Sequence, residues 1–396
     1  MKTDSILIVG GGPVGAVLAL SLQQKGVAFT MLEARAKGAS HSDTRALALS
    51  YGSRLILEKL NVWGAVAQQA TAINTIHISQ RGGFGRTKLN AADHNMPALG
   101  YVLPYGALTK ALDIALNNAL SSELAKPHQT SEILYEAIAG DIETTAHETK
   151  VSFTQTGKIN HLASPLVVVA DGGRNFGEIA GVEKGTKEYG HDALVSKVKA
   201  ELAHDNIAYE RFTPTGPMAL LPNGERDFSL VWTGEKAKID ALLALDDETF
   251  LAQLHEAFGD RVGQFLSIEK RMSFPLKLSR LKSTANAHLV IIGNAAQTMH
   301  PVAGQGFNVG LRDAQTLADS IVNTPQAQWG NAEMLQNYSK LRNRDTRGGV
   351  MFTDLLVNLF SNDVIGLSGL RGAGLGALEL LQPVKNVLVG KMSYGK

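Results

Sequence analysis

The sequence predicts an α/β protein in which one parallel-sheet domain, assembled from discontinuous pieces, is interrupted by a mostly β domain. Three observations carry this reading. A glycine turn joins a buried strand to a helix near the start. Two further β-branched runs, Ser164–Ala170 and His288–Ile292, each end at a polar glycine turn. Between them, residues 190–233 alternate apolar and polar as strands of a separate antiparallel sheet do.

The first element is Ser5–Val9, a short run suited to a strand buried on both faces. Pro13–Gln24 follows with Val14, Val17, Leu18 and Leu22 at helical spacing. The apolar run Ile6–Leu22 is also open to reading as a signal peptide or a membrane span. Gly10, Gly11, Gly12, Pro13 and Gly15 interrupt it, the charged region before it is minimal, and no small-residue cleavage pattern follows. Strand, turn and helix is the better account.

The turn between them reads Gly10-Gly-Gly-Pro-Val-Gly15 and fits G-x-G-x-x-G. Gly10 permits the tight turn, Gly12 removes a Cβ from the path of a pyrophosphate, and Gly15 lets helix and strand pack closely. Pro13 opens the helix, whose N-terminal N–H groups face the phosphates. Alone this motif is weak, since a glycine-rich turn can be only a turn. Its context strengthens it: Ala28–Leu32 reads as a second strand ending in Glu33, 23 residues beyond Gly10. A carboxylate there accepts from the adenosine ribose hydroxyls and repels a ribose phosphate, which favours FAD or NAD over NADP.

Further along, Ala46–Leu60 reads as a helix and Ile73–Ser79 as a strand. Leu108–Leu124 reads as an amphipathic helix, Ile133–Ile142 and Lys150–Thr156 as antiparallel strands, and Asp246–Phe258 as a helix. The domain boundaries expected are 1–72 with 98–180 and 275–345 for the nucleotide domain, and 73–97 with 181–274 for the β domain. Residues 346–396 form a C-terminal helical segment.

Composition excludes several classes. The 396 residues contain no Cys, so disulfides, thiol nucleophiles and Cys-type zinc or iron–sulfur sites are ruled out, and a reducing compartment fits best. The 38 Lys and Arg nearly balance 37 Asp and Glu, a net charge of +1 that gives no field for nucleic acid. No His-Glu-x-x-His or similar spacing marks a metal site.

The decisive segment is Gly293-Asn-Ala-Ala-Gln-Thr-Met-His-Pro-Val-Ala-Gly-Gln-Gly-Phe-Asn308, ahead of a helix from Val309 to about Val322. It is a second nucleotide-contacting turn. Asn294 is placed to bond a ribitol or ribose hydroxyl. Gly304, Gln305, Gly306 and Asn308 aim backbone N–H groups and a helix dipole at an electron-rich ring edge.

On these residues the chain resembles the FAD-dependent aromatic hydroxylases of the para-hydroxybenzoate hydroxylase type. The Gly10–Gly15 turn, Glu33, Arg45-Ala-Leu-Ala-Leu49, Asp171-Gly172 and the Gly293–Asn308 block stand in family order. It is most similar to the ubiquinone-biosynthesis hydroxylases. Within them, Glu210-Arg-Phe212, Gly216-Pro-Met-Ala-Leu-Leu-Pro222 and Ile76-His-Ile-Ser-Gln-Arg-Gly82 look most like 2-octaprenyl-6-methoxyphenol hydroxylases.

The resemblance implies a Rossmann-like FAD-binding domain with an inserted antiparallel substrate domain. Gly10, Gly12, Pro13, Gly15 and Glu33 would hold the ADP half of FAD. Arg45 would approach its phosphates or flavin side, Asp171 and Gly172 would touch FAD and NAD(P)H, and Gly293, Asn294, Pro301 and Gly304–Asn308 would border the flavin. The reaction implied is reduction of FAD by NAD(P)H, then transfer of an oxygen atom from a C4a-hydroperoxyflavin to a lipophilic phenol. Small soluble aromatics as substrates, a reductase without oxygen transfer, and a non-catalytic FAD-binding subunit are the rivals.

Two departures stand out. Asn175 and Glu178 occupy places where the family has Ser and Arg, and Asn294 stands for the superfamily's Asp. No acid–base pair is evident. His300, Tyr209 and His191 are candidates for a base that takes the phenolic proton, with His300 and Pro301 in the flavin loop. Arg211, Met218, Leu220 and Trp232 are expected to line the substrate pocket. The apolar C-terminal stretch Phe352–Met392, with its Gly-rich Arg371–Gly376, suits a lipid interface or packing back on the domain. The partners expected are the lipophilic phenol, proteins of a ubiquinone-biosynthesis complex and a peripheral membrane contact, with no nucleic acid. The location expected is cytoplasmic, at the inner membrane.

Overall fold

The computed structural model describes residues 4–83, 85–121, 131–173, 184–213, 216–281, 283–298, 305–343 and 379–395, with the isolated positions 182 and 376. His300, Pro301, Gly304, Asn175, Glu178 and the 352–375 stretch lie outside the described residues.

A six-stranded sheet forms the nucleotide domain. Its order is Ala285–Asn286, Leu289–Ile291, Val167–Val169, Ile6–Val9, Phe29–Glu33 and Glu132–Tyr135, parallel except for the first pair. The central strands are buried on both faces, which accounts for their unbroken β-branched and aliphatic runs. On one face the helix Pro13–Gln24 packs between Tyr105–Ser121 and Gln305–Val322, burying Val17, Leu18 and Leu22 against Leu112, Leu116, Leu311 and Leu317. The other face is covered by a three-stranded antiparallel sheet, Ile138–Thr144, Thr149–Gln155 and Lys158–Ser164. Val151 and Phe153 meet Leu7, Val9 and Val169 there.

A large antiparallel sheet forms the second layer system. It runs from Gln297–Thr298 through Met272–Leu281, Lys184–Ala200, Asp227–Glu235, Gly216–Pro222 and Ile207–Thr213 to Thr75–Gln80 and Arg86–Asn90. Thr75–Gln80 pairs in parallel with Ile207–Thr213. The helices Lys236–Ala244 and Asp247–Phe258 cover one face of it. A further helix at 332–343 packs Tyr338 into the nucleotide-domain core, and the C-terminal helix Gln382–Tyr394 packs Val389 near Phe212.

Two expected elements differ, and one helix was not expected. Ala46–Leu60 is not one helix: Ala46–Ser50 is a strand paired with Gly100–Pro104, and the helix begins at Tyr51, capped by the Ser50 hydroxyl. Leu47 and Leu49 alternate with alanines, a spacing that serves strand and helix alike, and the pairing with Gly100–Pro104 decides between them. Ile133–Ile142 splits into a parallel strand and an antiparallel one around Glu136, which adopts a left-handed φ of 55°. Lys236–Ala244 is a helix that the alternating pattern upstream does not announce.

Candidate functional site

The first corner follows from its glycines. Gly10 has a φ of +106°, and a Cβ on it would lie 2.6 Å from the Asp171 Cα. A Cβ on Gly15 would lie 1.9 Å from the Gly10 carbonyl oxygen, so strand and helix touch there only because both are glycine. Gly12 is uncrowded: among the described residues the nearest atom to its would-be Cβ is the Tyr105 hydroxyl, at 3.9 Å. Pro13 occupies the first turn of the helix, no side chain caps that N-terminus, and no acidic residue enters its first turn. The positive end of the helix is therefore left to an anion, and the space beside Gly12 fits the pyrophosphate of FAD.

Glu33 closes this corner. Its Oε2 accepts from the Gly11 N–H at 2.7 Å, and its Oε1 accepts from the Arg35 Nε at 2.6 Å and the Arg35 N–H at 2.9 Å. Burial pushes the carboxyl up, but the Arg35 charge and these hydrogen bonds outweigh it and hold the pKa below the usual range. Glu33 is thus an anion that can accept from ribose, sharing its oxygens with Arg35.

Asp171 and Gly172 sit against Gly10. The Asp171 carboxylate accepts from the Gly173 N–H at 2.8 Å, and Gly172 has a φ of +76°. Arg45 lies 5.3 Å from the Tyr105 ring centroid and forms a two-pronged pair with Asp43, with Nη2 to Oδ2 at 2.5 Å. Its charge is shared with that carboxylate, and the side chain is half exposed. Tyr105, which stands between Gly12, Arg35 and Arg45, carries no motif in the sequence.

The second corner joins the first directly. Gly293, at φ +64°, packs on Val14, and a Cβ on Gly310 would lie 2.9 Å from Val14 and 3.1 Å from the Gly293 Cα. The Gly293 N–H donates to Asp313 Oδ2 at 3.1 Å, and Arg342 Nε donates to Asp313 Oδ1 at 2.6 Å, all buried. Asn294 comes near Gly306, whose would-be Cβ lies 3.8 Å from its Oδ1, and Gln305 opens the helix. Asn308 has a structural part: its Oδ1 accepts from the Ser50 N–H at 2.8 Å and its Nδ2 donates to the Ala48 carbonyl at 3.0 Å. It ties the strand that follows Arg45 to the second corner. Asp313, Arg342 and this tie are signals that only a fold exposes, because their partners lie far away in sequence.

The expected pocket residues of the β domain point elsewhere. Met218 and Leu220 are fully buried, and with Trp232 they belong to the core beneath the two covering helices, among Phe228, Phe250 and Leu254. They do not line a pocket toward the nucleotide domain. Strand alternation makes the reason simple: the helices claim their face. Arg211 shares that face, near Gly259, where burial and the charges of Arg261 and Arg81 lower its pKa. Tyr209, a candidate base, packs its ring against Phe228, Phe258 and His77 on the same side. His191 pairs across to Glu235. Among the described residues no cluster of His, Asp and Glu can hold a metal.

The comparisons with known proteins follow this geometry. The FAD binding domain family matches residues 2–353. Ubiquinone hydroxylase UbiL of Rhodospirillum rubrum is 33% identical over 98% of this chain and 89% of its own length. The 3-demethoxyubiquinol 3-hydroxylase of Escherichia coli is 30% identical over 96% of this chain and 95% of its own. Among solved structures, p-nitrophenol 4-monooxygenase PnpA of Pseudomonas putida superposes with a TM-score of 0.78 at 15% identity, covering 98% of this chain and 97% of that one. The chain belongs to the FAD-binding domain family, with the para-hydroxybenzoate hydroxylase-like fold of its monooxygenases. FAD is its cofactor, and it is a flavin-dependent oxidoreductase of the monooxygenase type.

Proposed function

We propose that this protein hydroxylates the aromatic ring of a polyprenylated phenol, of the 2-polyprenyl-6-methoxyphenol kind, in ubiquinone biosynthesis, using NAD(P)H and O2. The observation that carries the reading is full-length similarity to ubiquinone hydroxylases, joined to two glycine corners in contact through Val14. Bound FAD supplies the redox and oxygen-activating chemistry. The chain supplies the rest: the uncapped helix end at Gly12 and Pro13 receives pyrophosphate, Glu33 receives the ribose, and the helix opening at Gln305 turns its N–H groups to the ring. Asp171 and Gly172 stand where NAD(P)H approaches, and Arg45 neighbours the phosphates. His300 and Pro301 are assigned to the flavin side by the family resemblance alone.

A lipophilic substrate favours work at a membrane surface. Among the described residues no helix is long and apolar enough to cross a membrane. The C-terminal helical region carries exposed Leu380, Leu381, Val384 and Val387, a stripe suited to peripheral contact or to proteins of a biosynthetic complex.

The test is quinone-lipid analysis of a strain deleted for this chain. Accumulation of a prenylated phenol lacking one ring hydroxyl, cleared by the wild-type chain, is the expected result. Unchanged quinone lipids contradict the reading. A second reading, hydroxylation of a small soluble aromatic, has no observation in its favour beyond the shared fold.

A further inference from the structure

The run Ile76–Gly82, singled out in the sequence, has no part in either glycine corner, and register shows what surrounds it. His77 lies between Lys88 and Tyr209, and Ser79 lies between Arg86 and Arg211, across three neighbouring strands. Paired residues share a face, so these side chains stand on one side of the sheet. It is the side of the covering helices: the Tyr209 ring meets Phe258, at the end of the helix Asp247–Phe258, with centroids 5.4 Å apart. The helix stops there. Beyond it, Arg86 and Lys88 on the edge strand are exposed, while His77 and Ser79 are buried.

The turn after the helix brings another charge to the same surface. A Cβ on Gly259 would lie 4.0 Å from Arg211 Nη2, so this turn approaches Arg211 closely. Arg261, exposed on it, acts electrostatically on His77, Tyr209 and Arg211. Arg81, directly after the strand Thr75–Gln80, acts on Arg211 as well. Arg81, Arg86, Lys88, Arg211 and Arg261 thus gather about the buried pair His77 and Ser79.

The nearby carboxylates are mostly spent elsewhere. Glu256 pairs with Arg81 at 3.2 Å, and Asp260 pairs with His255 at 3.0 Å. Glu379 accepts from Thr87, the Lys88 N–H and Lys385, and Asp205 acts on Tyr209. Among the described residues no carboxylate forms an ion pair with Arg86, Lys88, Arg211 or Arg261. Two buried nitrogens, His77 Nδ1 and Arg211 Nε, have no hydrogen-bond partner there either. Burial, and then the charges of Arg261, Lys88 and Arg86, hold the His77 pKa down to about 4. Unneutralised cations over unpartnered buried nitrogens are costly to keep unless an anion completes them. A phosphate group matches, with its multiple negative charge and several acceptor oxygens for guanidinium forks.

We propose that this surface is a binding site for a phosphate group, held by Arg86, Lys88, Arg211 and Arg261 above His77 and Ser79. None of these residues belongs to the two glycine corners, so the site is additional to the FAD seat. It goes beyond the hydroxylase reading and does not depend on it. A soluble phosphorylated compound and a phospholipid headgroup present the same oxygens to these cations. The sequence hides the site because its cations come from three strands and a turn, each with an ordinary surface charge or two.

The test uses FAD-loaded protein, so that the dinucleotide seat is filled, and titrates it calorimetrically with inorganic pyrophosphate at low salt. One binding event per chain is expected, weakening as salt rises. Arg261→Gln, at an exposed position, should raise the Kd about tenfold or more, and so should Lys88→Gln. Lys150→Gln, which removes an exposed cation from the three-stranded sheet, should bind as the wild type does. Flotation with vesicles of phosphatidylglycerol and phosphatidylcholine separates the two sources. Vesicle retention lost in Arg261→Gln assigns the phosphate to a lipid headgroup. Pyrophosphate binding without Arg261-dependent retention assigns it to a soluble compound. If the wild type and Arg261→Gln agree within twofold in both assays, or neither probe binds, the proposal is overturned.

Discussion

A Cβ at position 15 would sit 1.9 Å from the Gly10 carbonyl oxygen, so Gly15→Ala must push the first helix off its strand. The purified variant is expected to lose its flavin absorbance and melt at a lower temperature. A yellow, equally stable variant contradicts the role given to this corner. Glu210 makes a second prediction. Its carboxyl ionises near 4.5 when unfolded but only at about 8 when folded, so folding stability falls as pH rises between those values and is flat above them. Glu210→Gln cannot ionise. Relative to wild type it should gain almost nothing at pH 4 and up to roughly 5 kcal/mol at pH 9, reduced by solvent screening at this partly accessible side chain. Paired thermal melts at the two pH values check this. At this scale the glycine motif and Glu33 are legible because their logic is local: a turn, a helix end and a strand end within one βαβ unit. Met218, Leu220 and Trp232 were not separable from Glu210 by pattern alone. Alternation says that two faces differ, and only the covering helices say which face is core.

Elements are held in place by a few buried polar ties. Asp313 accepts from the Gly293 N–H and from Arg342, and it links three pieces of chain in a desolvated setting. Asp313→Ala leaves the Arg342 guanidinium without its buried carboxylate, and such losses cost about 3–5 kcal/mol. Denaturant unfolding should show that loss together with weaker FAD retention. Asn308→Ala removes two hydrogen bonds to the Ala46–Ser50 strand and should cost about 1–3 kcal/mol by the same measurement. The C-terminal helical region is fastened differently: Glu379 accepts from the Thr87 hydroxyl, the Lys88 N–H and Lys385. Burial pushes its carboxyl up, but those bonds prevail and bring the pKa to about 2. The latch is thus complete above pH 4.5 and released only as pH falls toward 2. Ala46–Ser50 shows why element type can mislead. Four residues of alternating Ala and Leu ahead of Ser50 fit either period, and the choice falls to pairing with Gly100–Pro104 and to the Asn308 tie.

For the whole molecule, the order of motifs along the chain carries the architecture. Three strands that end in glycine turns must lie side by side for their turns to meet, and the alternating stretch between them must leave that sheet. The structure joins the three as neighbours, Ile6–Val9, Val167–Val169 and Leu289–Ile291, and places the alternating stretch in the second sheet. Which face of the second sheet the two helices cover is a relation between distant segments that no window of sequence contains. FAD is the cofactor, and on the proposed seat across the two glycine corners added FAD should raise the melting temperature of flavin-stripped protein in a concentration-dependent way. The most direct measurement is isotopic. The FAD-loaded protein, NAD(P)H and a prenylated phenol are incubated under ¹⁸O2, and the product is analysed by mass spectrometry. The account predicts one ¹⁸O atom in the new ring hydroxyl. NAD(P)H oxidation that leaves the phenol unlabelled contradicts it.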